Sequence, residues 1–225
     1  MWCVPELNDE YIAKMEDVLE TYERPYDPQE PVVCLDEKPV TLHAEVRQPS
    51  AAEPGREARR DSEYVRRGTA NVFCAVEPKT GRHFTWPTPD RSGFEFAKVA
   101  FDLALHYAEA DTIHLIVDNL NIHRRKSLTD LLGDEFGTEV WNRFTVHYTP
   151  SHGSWLNQAE IEIGLFSRQC LGTRRIPDLK TLRLEAKAWN KDVNRRRVRI
   201  NWRFDRRSAR RCFGYKRKSI RRSEN

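Results

Sequence analysis

Residues 112–118 read TIHLIVD, an apolar run that ends in an aspartate, Asp118. Residues 32–36 read VVCLD and have the same form, ending in Asp36. Short, nearly continuous apolar runs are the pattern of strands buried on both faces. In open α/β sheets, ligands gather outside the carboxyl ends of such strands. An acid placed there reaches a shared site while its apolar neighbours stay packed. One strand-end aspartate alone is commonly a turn or capping residue. Two in one chain, with a third acid on a later helix, weaken that explanation.

Outward from these runs the chain alternates. Residues 6–22 (ELNDEYIAKMEDVLETY) carry a helical stripe of Leu7, Tyr11, Met15, Val18 and Leu19, and Pro25, Pro28 and Pro31 end it. Residues 40–46 (VTLHAEV) alternate and are expected to pair with 32–36 as a second strand. Residues 47–69 are polar, hold Pro49, Pro54 and Gly55, and read as a long loop. Residues 71–77 (NVFCAVE) read as a third strand, followed by a turn from Pro78 to Gly81.

Ser92 to His106 reads as a helix with a Ser92/Glu95 capping box and a stripe of Phe94, Ala97, Phe101, Ala104 and Ala108. Arg124–Leu132 is expected to be a short helix and 144–148 (FTVHY) a strand. Trp155–Cys170 and Asp178 to about Arg197 are expected to be helices. Three strands followed by alternating helices and strands predict an α/β fold, a mixed sheet flanked by helices. Ribonuclease-H-like domains have this order, and many other α/β folds share parts of it.

The helix from Trp155 carries the third acid. Leu156, Ala159, Ile163, Phe166 and Cys170 recur at steps of three and four and form its buried stripe. Asn157, Glu160 and Gly164 follow one residue later and border it. Glu162 stands about 200° around the helix from Glu160, so the two acids cannot face one site. Three carboxylates without His or Cys suit a hard, oxygen-seeking cation, Mg²⁺ or Mn²⁺ before Zn²⁺. Two such ions stabilise the attacking and leaving oxygens of a phosphodiester displacement.

Charge is unevenly spread. The net charge is +4, but 14 Lys/Arg and one acid, Asp205, lie between Arg195 and Arg222, which leaves the rest of the chain acidic. A basic end on an acidic body suggests a polyanion partner, most simply nucleic acid. The five cysteines, at 3, 34, 74, 170 and 212, show no CxxC pair, which argues against a zinc site. With no signal peptide they point to a reducing compartment, and no apolar run is long enough to span a membrane. Neither a membrane nor a small-molecule cofactor is expected.

VVCLDE (32–37), LIVDNLNIH (115–123) and YTPSHGSWLNQAEIEI (148–163) resemble the three catalytic blocks of bacterial insertion-sequence DDE transposases of the mariner-like superfamily. The resemblance in order and spacing runs from about Trp2 to Phe204. Its most specific part is the L-N-x-x-E pattern at Leu156, Asn157 and Glu160. It implies a ribonuclease-H-like core and DNA strand cleavage and strand transfer. It also implies two Mg²⁺ (or Mn²⁺) ions held by Asp36, Asp118 and Glu160. Glu37 is a rival to Asp36, but the family's acid is the first of the pair. Asn119, His123, His152, Ser154, Trp155 and Asn157 belong to the same blocks, which implies support of the ligands or contact with DNA. His123 could equally be an ordinary surface histidine, and Trp155 a core anchor.

The partners implied are the element's DNA ends and target DNA, in bacterial cytoplasm at the nucleoid, with a homodimer as one assembly. The expected division is a connecting helix and linker (1–30), the catalytic domain (31–204) and a basic tail (205–225). Full-length members carry helix-turn-helix domains ahead of the catalytic domain, so the chain is expected to be a truncated product, a separate fragment or a subunit relying on another polypeptide. Alternatives are an inactive DNA-binding remnant, another ribonuclease-H-like nuclease, or an RNA-binding protein driven by the tail.

Overall fold

The computed structural model describes residues 7–216. Expectations for residues 1–6 and 217–225, the last basic residues of the tail among them, lie outside the described residues. Helix α1 (Asp9–Glu23) begins at Asn8, whose side chain accepts from the Tyr11 N–H. It buries Tyr11, Met15, Val18 and Leu19, while Leu7 is exposed.

Strand β1 is Val32–Glu45, one strand of 14 residues and not two. Pro39 is the one turn-former between Glu37 and Val40 and has no Gly, Asn or Asp beside it, so 40–45 continues the strand that 32–36 begins. Its antiparallel partner is β2 (Tyr64–Glu77), with an irregularity between Thr41 and His43. Six residues expected to be loop, 64–69, therefore belong to β2. They are exposed on both faces, which erases the alternation that would reveal them. Strand β3 (Arg82–Thr88), unseen in the sequence, pairs antiparallel with β2. Pro87 masks it, and Phe84 and Trp86 are its alternating signal.

Helix α2 (Gly93–His106) starts at Ser92, whose hydroxyl accepts from the Glu95 N–H. It buries Phe96, Ala97, Val99, Ala100, Leu103 and Ala104, whereas Phe94 is exposed. The expected stripe was thus rotated; the wider apolar set around Ala100 faces the sheet. Strand β4 (Ile113–Val117) is wholly buried. Helix α3 (Arg125–Leu132) is followed by α4 (Asp134–Trp141), which the sequence reading lacked, and by β5 (Phe144–Tyr148).

The expected helix from Trp155 to Cys170 is interrupted. A single turn of 3₁₀ helix spans Ser154–Leu156, α5 spans Ala159–Phe166, and a π turn follows at Ser167–Leu171. Helix α6 (Leu179–Arg196) starts at Asp178 and stops where Arg197 turns left-handed. Part of the expected basic tail folds as α7 (Arg206–Phe213).

The strands form one mixed sheet in the order β3-β2-β1-β4-β5, with β1, β4 and β5 parallel. Alternation sends odd residues of β1 and β4 to one face. There Val33, Leu35, Leu115 and Val117 pack with α2 and α3 residues such as Phe96 and Leu128. Even residues face the other side. Val32, Cys34 and Ile116 meet α1, α5 and α7, while Val40, Leu42, Val72 and Cys74 meet α5 and α6. Each fully buried residue of this size contributes roughly 1.5–3 kcal/mol of apolar transfer energy.

Candidate active site

Parallel pairing of β1 with β4 runs only from Val32/His114 to Cys34/Ile116. Beyond Cys34 the strands part, and a different group enters the opening. The Asn157 side chain donates to the Leu35 carbonyl at 2.8 Å, and its own carbonyl accepts from Ala159 N at 3.1 Å. Asn157 is buried in an extended backbone conformation, which breaks the helix at this point. One side chain thus ties the start of α5 to the residue before Asp36. The N–H of Glu160 donates to the Asn157 carbonyl at 3.1 Å.

Asp36 and Asp118 leave the ends of their buried runs on the face that α5 covers. The Asp36 carboxyl is pushed up to about 7, by burial first and then by the charges of Glu37, Glu160 and Asp118. Its hydrogen bond from Glu37 N, 2.7 Å, opposes this only in part. Glu160 and Asp118 are thus near enough to act on Asp36, though less than its burial does. Among the described residues, no three His, Cys, Asp or Glu side chains are already drawn together tightly enough to hold an ion. An all-oxygen set of mutually repelling carboxylates, one of them raised, fits a divalent cation that would offset the repulsion.

Asp118 has partners that Asp36 lacks. Its Oδ1 accepts from Leu120 N at 3.0 Å and faces His123 Nδ1 at 2.9 Å. Burial acts to raise its carboxyl, yet the His123 hydrogen bond and the Leu120 N–H bring it below the usual range. His123 is fully buried, so it is neither a surface histidine nor able to touch DNA. Its Nε2 faces Glu37 Oε1 at 2.6 Å. Burial works against its charge, but Asp118 and Glu37 outweigh this and raise it to about 9.

The other expected residues divide. Asn119 donates to the Thr149 carbonyl and accepts from Lys14 at 3.4 Å, joining the loop after β4 to the loop after β5. His152 is exposed with φ 61°, beside Gly153, where a Cβ would stand 2.5 Å from the Pro150 ring. Ser154 and Trp155 line an apolar groove of about 900 Å³ with Glu160, Ile161, Trp202 and Phe204. Trp155 is half-buried, 5.4 Å from the Phe204 ring.

Glu160, expected at the border of the buried stripe, is exposed, and Glu162 is the buried one of the two. Their separation onto different faces stands. Glu162 hydrogen-bonds His83 of β3 at 2.5 Å, and Asn194 of α6 holds both backbone groups of His83. Neither Glu37's attachment to His123 nor Glu162's to His83 was foreseen. Strand alternation was the available signal for Glu37, since it must point to the opposite face from Asp36.

A family described as DDE superfamily endonuclease matches residues 31–183, about two thirds of the chain. Solved structures of the same fold include the Mos1 mariner paired end complex with Mn, at TM-score 0.52 and 15% identity over 87% of this chain and 60% of that one. The Mos1 strand transfer complex matches at TM-score 0.55 and 15% identity over 87% of this chain and 60% of that one. The mariner Mos1 paired end complex with Mg matches at TM-score 0.52 and 15% identity over 86% and 59%. The chain therefore spans about 60% of the length of the structures it resembles. No curated protein matches it. Among the described residues no helix is long and apolar enough to cross a membrane. The likeness in fold is to a ribonuclease-H-like catalytic domain, and by the match over residues 31–183 the chain belongs to the DDE superfamily endonucleases.

Proposed function

We propose that this chain is the catalytic domain of a transposase that cuts DNA strands at the ends of a mobile element and joins them to a target. The observation that supports the reading is that Asp36 and Asp118, on neighbouring parallel strands, lie on the face covered by the helix that carries Glu160, with Asp36 raised by burial first and by the charges of Glu37, Glu160 and Asp118 after it. Asp36, Asp118 and Glu160 would hold two Mg²⁺ or Mn²⁺ ions. Bound there, the ions supply charge neutralisation at the attacking and leaving oxygens of a phosphodiester displacement. The protein's own part is position and charge. Asn157 holds α5, and with it Glu160, against β1 at the residue before Asp36. His123 holds the Asp118 carboxylate in place.

DNA is the proposed partner, bound through phosphates by the basic carboxy-terminal segment. That segment is less free than its composition suggests. Arg206 pairs with Glu20 and Glu23, Arg210 with Glu16, and Arg195 and Arg196 with Asp192. Arg197, Arg199, Arg203, Arg207, Arg211 and Lys216 are exposed and are the candidates for phosphate contact. We also propose a bacterial cytoplasmic setting at the nucleoid, with element recognition by base-reading domains beyond this catalytic domain.

The test is nicking of supercoiled DNA by the purified chain with Mg²⁺ or Mn²⁺. Weak nicking without sequence preference is expected, and none with Ca²⁺, whose looser coordination positions the reacting groups poorly. Asp118→Asn keeps the shape and removes the charge, so nicking should vanish. Nicking that survives Asp118→Asn would overturn the site.

A further inference from the structure

The acid beside Asp36 has a separate use. Strand alternation turns Glu37 away from Asp36 and toward α2, where its side chain is 3% exposed. There it meets His123, whose ring lies 4.9 Å from Phe96. The ring has a carboxylate oxygen at each nitrogen: Glu37 at 2.6 Å and Asp118 at 2.9 Å. Nδ1 also lies 3.2 Å from the Asp118 carbonyl, and the Tyr148 hydroxyl donates to the His123 carbonyl at 2.6 Å. Ring and backbone of His123 are both held.

The place of this contact matters more than its strength. Backbone pairing between β1 and β4 stops at Cys34 and Ile116, two residues before each aspartate. No ladder hydrogen bond sets the spacing of Asp36 from Asp118. The path Asp36–Glu37–His123–Asp118 crosses that opening through one peptide bond and two side-chain contacts. We infer that Glu37 and His123 are a positioning pair, which sets the separation of the two strand-end carboxylates in place of the missing ladder. The inference rests on Asp118 being a ligand of the proposed ions. Glu37 is on this account an anchor and not a ligand.

Direct Mn²⁺ binding to the purified chain, by calorimetry or by the spin-resonance signal of free Mn²⁺, tests it without reference to activity. Glu37→Ala and His123→Ala should each weaken Mn²⁺ binding by roughly 10–100-fold, the usual cost of losing a residue that orients a ligand. The double variant should be no worse than the weaker-binding single one, because both remove the same connection. Glu37→Gln keeps a carbonyl acceptor for Nε2–H and should recover most of the affinity, whereas Glu37→Leu fills similar space without an acceptor and should not, the opposite of what a space-filling role requires. Where Glu37→Ala does not fold, Glu37→Leu removes the acceptor at similar volume. Folded variants at position 37 and 123 that bind Mn²⁺ as tightly as the parent chain would overturn the inference, provided Asp118→Asn abolishes binding. Should Asp118→Asn also bind normally, the reading of the site has failed.

Discussion

Asp36 and Asp118 follow near-identical apolar runs on neighbouring parallel strands, yet their surroundings push them in opposite directions. Asp36 is buried among like charges, with one backbone N–H as its hydrogen bond, and is raised to about 7. Asp118 faces His123 and the Leu120 N–H and is lowered. The difference comes from the next residues along the chain. After Asp36, β1 continues and carries Glu37 to the far face. After Asp118, the chain turns and brings His123 back against it. Near-identical apolar runs therefore lead to one carboxylate held charged and one raised to about 7. A cation arriving at the site would expel a proton from Asp36 and none from Asp118.

The largest expected effect sets the two substitutions against each other. In chelator at pH 8, Asp118→Asn should lower stability by about 2–3 kcal/mol, because it removes charge-assisted hydrogen bonding to His123. Asp36→Asn should raise stability by about 1–2 kcal/mol, because it removes a buried charge with no cationic partner. Urea unfolding would compare them, and shifts of the same sign would break the contrast.

The second effect is in pH. The Asp36 carboxyl rises on folding from 3.8 to about 7, so the folded chain holds a proton that the unfolded chain has lost. Stability from this group is full below pH 4 and is lost as pH rises to 7, by on the order of 2 kcal/mol after discounting for screening. His123 rises from 6.5 to about 9, so its share is full below pH 6.5 and is lost by pH 9. The difference between parent and Asp36→Asn stability in chelator should slope only in the lower window, and that for His123→Gln only in the upper. Interchanged windows would reverse the assignment.

The smallest effect concerns what holds the turn after Asp118. Tyr148→Phe removes one hydrogen bond to the His123 carbonyl and should cost about 1 kcal/mol in urea unfolding. A loss as large as that of Asp118→Asn would mean that the backbone contact, and not the ring, holds this turn.

The sequence made the strand-end acids legible because VVCLD and TIHLIVD saturate their hydrophobic pattern and stop at a charge. Helix phase separated Glu160 from Glu162, but it could not say which was buried. That was decided by His83, which lies 79 residues away and has no local signature. The break at Asn157 was hidden for a similar reason: its partner, Leu35 O, is a backbone atom of β1. The distal half of β2 escaped because an exposed two-stranded ribbon has no apolar face to betray it.

Helices α1 and α7 run antiparallel, since Glu16 meets Arg210 while Glu20 and Glu23 meet Arg206. A segment joined ahead of Asp9 and one joined after Phe213 would therefore leave from the same end of this clasp. Tension between two such attachments would peel the clasp open one ion pair at a time, as a zip opens. The pairs are only partly exposed and border Met15, Leu19 and Ala209, which pack with Cys34 and Ile116 of the sheet, so opening the clasp would also pull on the five-stranded sheet.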